Sequence, residues 1–218
     1  NNTDGAGFMY TLPNDLNHIV IDKGYLDYGE MEDSLKRHNF TKDQIVVYHF
    51  RIQTSGLISQ AHTHPFPLTG DITDLNKLDL VTEIGIAHNG VLHTPTTIDL
   101  TDTQEFIRDT IFPLKKALLQ SKSSVLGQIR NKGKTSRFCL LLPTKFFLVG
   151  KGWIKDKEIW YSNSSYQKQA IVFQKQFNHY PSAYLAGYSA ELCRRSQYAD
   201  QLEYFVSRTR ALEADVLY

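Results

Sequence analysis

Three short stretches of the sequence bring polar side chains and glycine together at what should be strand ends: Asp4-Gly5-Ala6-Gly7-Phe8, His49-Phe50-Arg51-Ile52-Gln53-Thr54-Ser55-Gly56 and His88-Asn89-Gly90. Glycine at such a position lets backbone N–H groups approach a ligand closely. Arg51 belongs to a run that alternates like a half-buried strand. A guanidinium keeps its charge, so it requires an anion, either an internal carboxylate or a ligand carboxylate. Asn89-Gly90 reads either as a two-residue type I′ turn or as an oxyanion hole built from an Asn amide and the next N–H. Asp102 has the same two sides: a helix N-cap, or an acceptor for a ligand ammonium.

Five of the eight histidines (His49, His62, His64, His88 and His93) fall close together in the chain. In an extended segment His62 and His64 would share one side, a possible metal pair. No Cys or Glu completes a ligand spacing nearby, so neither a metal nor another cofactor is expected, and a metal-dependent hydrolase built on His62, His64 and His88 is the least favoured reading. Of the two cysteines, Cys139 lies inside the apolar run Phe-Cys-Leu-Leu-Leu and reads as an inert hydrophobe. Cys193 stands beside Arg194-Arg195 with no adjacent base. No Gly-x-Ser-x-Gly elbow, P-loop or Cys-x-x-Cys is present. The motifs supply binding groups and no nucleophile.

The elements that must position these groups can be read from periodicity. Residues 7–12 and 18–21 read as strands about the turn Pro13-Asn14-Asp15. Residues 30–38 read as a short helix with Met31, Ser34, Leu35 and His38 on one side. Residues 45–52 form the strongest strand, with Tyr48, Phe50 and Ile52 on one face and Val47, His49 and Arg51 on the other. The stretch 54–80 has no sustained period and is expected to be a long loop, of the kind that is either functional or disordered. Residues 83–88 read as a buried strand ending at Asn89-Gly90. A helix capped by Thr101 or Asp102 should then run to about Gln120, kinked or divided by Pro113. Residues 137–142 and 145–150 predict a hairpin about Pro143-Thr144, with short β pieces at Trp153 and at Trp160-Tyr161. Residues 190–217 carry Leu192, Ala199, Leu202, Val206, Leu212 and Val216 on one stripe, which predicts a long amphipathic helix. The expected fold is a mostly antiparallel β core with helices outside it, over residues 1–180, followed by a helical tail, 181–218.

Composition agrees with a folded domain. The 218 residues are 41% hydrophobic and 22% charged, which excludes a disordered chain. With 24 Lys+Arg against 23 Asp+Glu the net charge is +1, so the basic footprint of a nucleic-acid binder is missing. Two cysteines make no disulfide framework and suit a reducing, cytoplasmic compartment. No apolar run approaches a membrane span. The sequence opens on Asn1, not Met, and is expected to be a piece of something longer.

Taken in order, the stretches Asn2 to Tyr10, His49 to Gly56, Thr63-His64-Pro65-Phe66, Ala87 to Leu92 and Thr101-Asp102-Thr103 resemble class II glutamine amidotransferases. These form a branch of the N-terminal nucleophile hydrolases, and the nearest resemblance is to the small members encoded by bacteriophages and some bacteria. Tyr161 to Tyr166 also looks like a late segment of the phage type. The similarity spans about residues 1–166.

The resemblance implies a four-layer αββα sandwich of two antiparallel sheets, in a host cytoplasm if the chain is phage-encoded. It implies glutamine or a similar small amide as substrate, with Arg51 and Thr54 holding the α-carboxylate, Asp102 the α-ammonium, and Asn89 with Gly90 the oxyanion. Family members use the thiol of an N-terminal cysteine as nucleophile and its own α-amine as base. That cysteine would lie upstream of Asn1. His62 departs from the Asn that many members carry before x-His-Pro. A synthase or other acceptor of ammonia would be a partner protein; the tail lies outside the resemblance, and its amphipathic stripe from Leu192 to Val216 suggests a site of self-association. The alternative is an inactive relative that uses the fold as a binding or structural module.

Overall fold

The computed structural model describes residues 4–51, 59–94, 100–164 and 215–217. β1 (Ala6–Thr11) and β2 (Ile19–Tyr25) form the expected antiparallel hairpin, with a bulge between Ala6 and Gly7. β3 (Val46–Phe50) pairs with the other side of β1, so every residue of β1 is buried. β5 (Asp79–Thr82) lies beyond β2 and completes a four-stranded antiparallel sheet ordered β3-β1-β2-β5. Helix α1 (Tyr28–His38) begins where the Asp27 carboxylate accepts from Gly29 N (2.7 Å) and Glu30 N (3.3 Å). It stops at Asn39, whose left-handed φ of 46° ends the helical hydrogen bonding.

The second sheet is ordered β11-β8-β7-β6-β4. It contains β4 (Phe66–Pro67), β6 (Gly85–Asn89), β7 (Arg137–Leu142) and β8 (Lys145–Val149), all antiparallel, and β11 (Asp215–Leu217), which runs parallel to β8. The hairpin at Pro143-Thr144 is the one expected. A small hairpin, β9 (Ile154–Asp156) and β10 (Ile159–Tyr161), accounts for the β pieces around the two tryptophans.

Three expectations need correction. Part of the stretch expected as loop holds structure: a 3₁₀ turn Gln60–His62, β4, helix α2 (Ile72–Asn76) and β5. Pro65 and Pro67 hide β4 from any periodic pattern, and α2 is too short to show one. The helix expected up to Gln120 is divided at Pro113 as anticipated, but it also loses α geometry earlier: it runs as α3 (Asp102–Phe106), a π segment Ile107–Ile111, a 3₁₀ turn Phe112–Leu114 containing Pro113, and α4 (Lys115–Leu119). Its cap is Thr101, not Asp102, and forms a capping box with Gln104. Lastly, residues 215–217 are strand where a helix was expected. The remainder of that helix, 190–214, lies outside the described residues.

Alternation sorts the side chains into three clusters. Phe8 and Tyr10 of β1 meet Met31 of α1. Met9, Ile19 and Ile21 of the first sheet meet Ala87, Cys139, Leu141 and Leu148 of the second. Ile86, Phe138, Leu140 and Val149 of the second sheet meet Phe106, Ile107, Ile111 and the residues Val125, Leu126 and Ile129 of α5 (Ser123–Gly133). Each fully buried Ile, Leu or Phe contributes about 1.5–3 kcal/mol, so these clusters hold the elements together without a disulfide. Among the described residues no helix is long and apolar enough to cross a membrane.

Candidate functional site

The ends of β1, β3 and β6 come together through side chains that face between the sheets. Gly7 shows how close the approach is. A Cβ there would meet the His64 carbonyl oxygen, and would lie 2.5 Å from Lys23 Cβ and 2.8 Å from Lys23 Cα. Only glycine lets the 63–64 segment lie directly on β1. Lys23, 3% exposed, fastens that segment from β2: its Nζ donates to Ala61 O (2.9 Å) and Leu75 O (3.0 Å) and sits 4.0 Å from the centre of the Phe66 ring. Burial holds the Lys23 amine well below the ordinary lysine pKa.

Next to this lie three imidazoles. The His49 and His64 ring centres are 4.2 Å apart, and those of His64 and His88 6.1 Å. His49 Nε2 donates to the His88 carbonyl (2.9 Å), which leaves Nδ1 as the bare lone pair, and His88 Nδ1 is 2.8 Å from Thr103 Oγ1. His49 Nδ1, both nitrogens of His64 and His88 Nε2 are buried without a hydrogen-bond partner among the described residues. Burial pushes His49 and His88 down to about 4, and His64 well below its ordinary range, so all three are neutral at pH 7. Among the described residues no group of three His, Cys, Asp or Glu side chains is arranged to hold a metal ion.

Arg51 follows β3 and is 6% exposed. Its N–H donates to Gly5 O (2.8 Å), and Asp4 N–H donates to Arg51 O (3.4 Å), which ties the start of β1 to the end of β3. Burial pulls the guanidinium pKa down, while the Asp4 and Asp102 carboxylates act in the opposite sense. Arg51 therefore lies in the field of two internal carboxylates, and one of them is Asp102.

Asn89 ends β6, and its Nδ2 donates to Ser162 Oγ (2.7 Å). Gly90 has φ of +143°, and a Cβ there would fall 2.6 Å from Ser136 Oγ. The Asp102 carboxylate accepts from Leu92 N (3.0 Å) and from Thr103 N (2.7 Å). It thus fixes the segment that leaves Gly90 and keeps lone pairs for another donor. Of the two readings of Asn89-Gly90, the hairpin turn does not apply: β6 pairs with β4 and β7, and the chain runs on from Gly90 toward Asp102. No protein-family model matches this sequence, and no curated protein matches it either.

Of the four expected site residues that are described, Arg51, Asn89, Gly90 and Asp102, the last acts on the Arg51 guanidinium and accepts from the N–H of Leu92, two residues after Gly90; Thr54 lies outside the described residues. Cys139 faces the core between the sheets with its thiol pushed up to about 12 by burial, as expected of an inert cysteine. Cys193 lies outside the described residues. Lys23 and Ser136 carry no expectation from the sequence, and Thr103 and Ser162 carry none beyond their place in the resembling stretches. A lysine at an inward position of a strand was the available signal for Lys23, since Ile19, Ile21 and Lys23 alternate on one face. An open cleft of about 530 Å³ lined by Thr69, Lys77, Asp79, Val81 and Lys115 lies along β5 and includes none of the four site residues.

Proposed function

We propose that this chain is a class II glutamine amidotransferase-like amidohydrolase whose nucleophile is the thiol of a cysteine upstream of Asn1. The observation that carries the reading is a helix-start carboxylate, Asp102, that acts on a buried guanidinium and also holds the N–H of Leu92, just after an Asn-Gly pair at a strand end. An α-amino acid offers the complementary pair of charges, and Arg suits its carboxylate bidentately.

In this scheme Arg51 binds the α-carboxylate, assisted by Thr54, and Asp102 binds the α-ammonium. The thiolate attacks the side-chain amide carbon, and the oxyanion is held by Asn89 Nδ2–H and the Gly90 N–H. Collapse expels ammonia, which leaves with a proton delivered by the α-amine of the nucleophile. Water then cleaves the thioester to give glutamate. A partner synthase would take up the ammonia, and the tail would serve self-association.

The same reading extends the fold to a four-layer αββα sandwich. What supports it is the sequence of three apolar clusters, from α1 to the first sheet, between the sheets, and from the second sheet to the later helices.

Full-length protein, with any residues that precede Asn1, should release glutamate and ammonia from glutamine. Failure to do so, together with retained binding of glutamine, would favour the inactive binding module.

A further inference from the structure

We infer that Ser162 is a positioning residue for the oxyanion-binding amide of Asn89; the inference rests on the amidohydrolase reading. Asn89 is the last residue of β6, and glycine follows it, so its own strand does not fix the side-chain rotamer. The fixed contact comes from far along the chain: Asn89 Nδ2 donates to Ser162 Oγ at 2.7 Å across a separation of 73 residues. A primary amide has two N–H groups. With one bonded to Ser162, the plane of the amide is set and the other proton is directed in a single orientation.

Ser162 is itself held in place. It follows β10 directly, and the β9–β10 hairpin is anchored by Trp153 and Trp160, which pack on the cluster containing Ala87. Ala87 lies two residues before Asn89 on β6. The hairpin and the strand end therefore rest on one patch of core, and the Ser162–Asn89 bond closes the short circuit between them. Preorganised donors act because they need no reorientation when charge develops. Removal of Ser162 leaves the donor in place but frees it to rotate.

The test uses intact protein with glutamine as substrate. Ser162→Ala should lower kcat about tenfold with KM unchanged, since ground-state binding belongs to Arg51 and Asp102. That is less than the roughly 10²–10³ typical for deleting an oxyanion donor. Ser162→Thr, which keeps the hydroxyl, should restore the rate. In an Asn89→Ala background Ser162→Ala should have no further effect. Independent, additive losses would overturn the inference.

The side-chain NH₂ signals of Asn89 by ¹⁵N NMR supply a readout that needs no turnover. Ser162→Ala should shift them and speed their exchange with solvent, and Ser162→Thr should not. Unchanged Asn89 signals in Ser162→Ala would overturn the inference. Absence of glutaminase activity in the wild type, with the shift still seen, would overturn the amidohydrolase reading alone.

Discussion

The imidazole of His49 in the first sheet donates through Nε2 to the backbone carbonyl of His88 in the second, at 2.9 Å. One side chain thus joins the two sheets at the residue just before Asn89. The bond also fixes the tautomer, so the other nitrogen of His49 faces the interior as a bare acceptor.

This arrangement makes stability depend on mild acid. His49 and His88 are held near 4 in the fold against an ordinary value of 6.5, and His64 is also depressed. Above pH 6.5 neither the folded nor the unfolded chain is protonated there, and no stability is lost. As pH falls from 6.5 toward 4 the unfolded chain takes up protons that the fold refuses. Stability should decline by at most roughly 3 kcal/mol for each of His49 and His88 over this window. Urea unfolding between pH 7.5 and 4.5 measures it; a flat profile would contradict neutral burial.

His64 has no partner for either nitrogen among the described residues and packs its ring 4.7 Å from that of Phe66. Replacing unsatisfied polar atoms by an apolar side chain of similar size removes a desolvation cost of about 1–3 kcal/mol. His64→Leu should therefore unfold at higher urea concentration than wild type. A clear loss of stability would show that the ring is hydrogen-bonded in solution.

Lys23 gives a pH signature of the same sign, on the alkaline side. Its folded pKa is depressed from 10.5, so folding is opposed while the unfolded chain holds the proton. Stability should rise as pH increases toward 10.5, and Lys23→Met should abolish that rise. An unaltered alkaline slope in Lys23→Met would assign the effect elsewhere.

Gly7→Ala brings a methyl group against the His64 carbonyl and Lys23 Cα, both of them backbone. No rotamer change relieves backbone on two sides, so the loss should exceed the roughly 1 kcal/mol usual for a strained glycine replacement. Thermal unfolding of the variant measures it, and a change of Tm within about 2 °C would contradict the packing.

Much of this was legible in the sequence, and the exceptions have physical causes. Alternation in 45–52 assigned Val47, His49 and Arg51 to one face, and the register places Val47 and His49 opposite Met9 and Gly7. The hairpins at Pro13-Asn14-Asp15 and Pro143-Thr144 were legible from turn chemistry. Helix α5 was not, because it starts with no capping side chain and contains Gly127. Asp102 could not be told from Thr101 as a cap, since both residue types cap well. The Asn89–Ser162 bond joins residues too far apart for any local pattern to report.

The central claim, a glutamine-cleaving site served by an upstream cysteine, is tested most directly by covalent labelling. Full-length protein, with any residues that precede Asn1, is treated with an electrophilic glutamine analogue and its mass measured. A single adduct on a cysteine before Asn1, prevented by excess glutamine and lost in Arg51→Ala, is the expected result. No adduct, or one on Cys139 or Cys193, would contradict it.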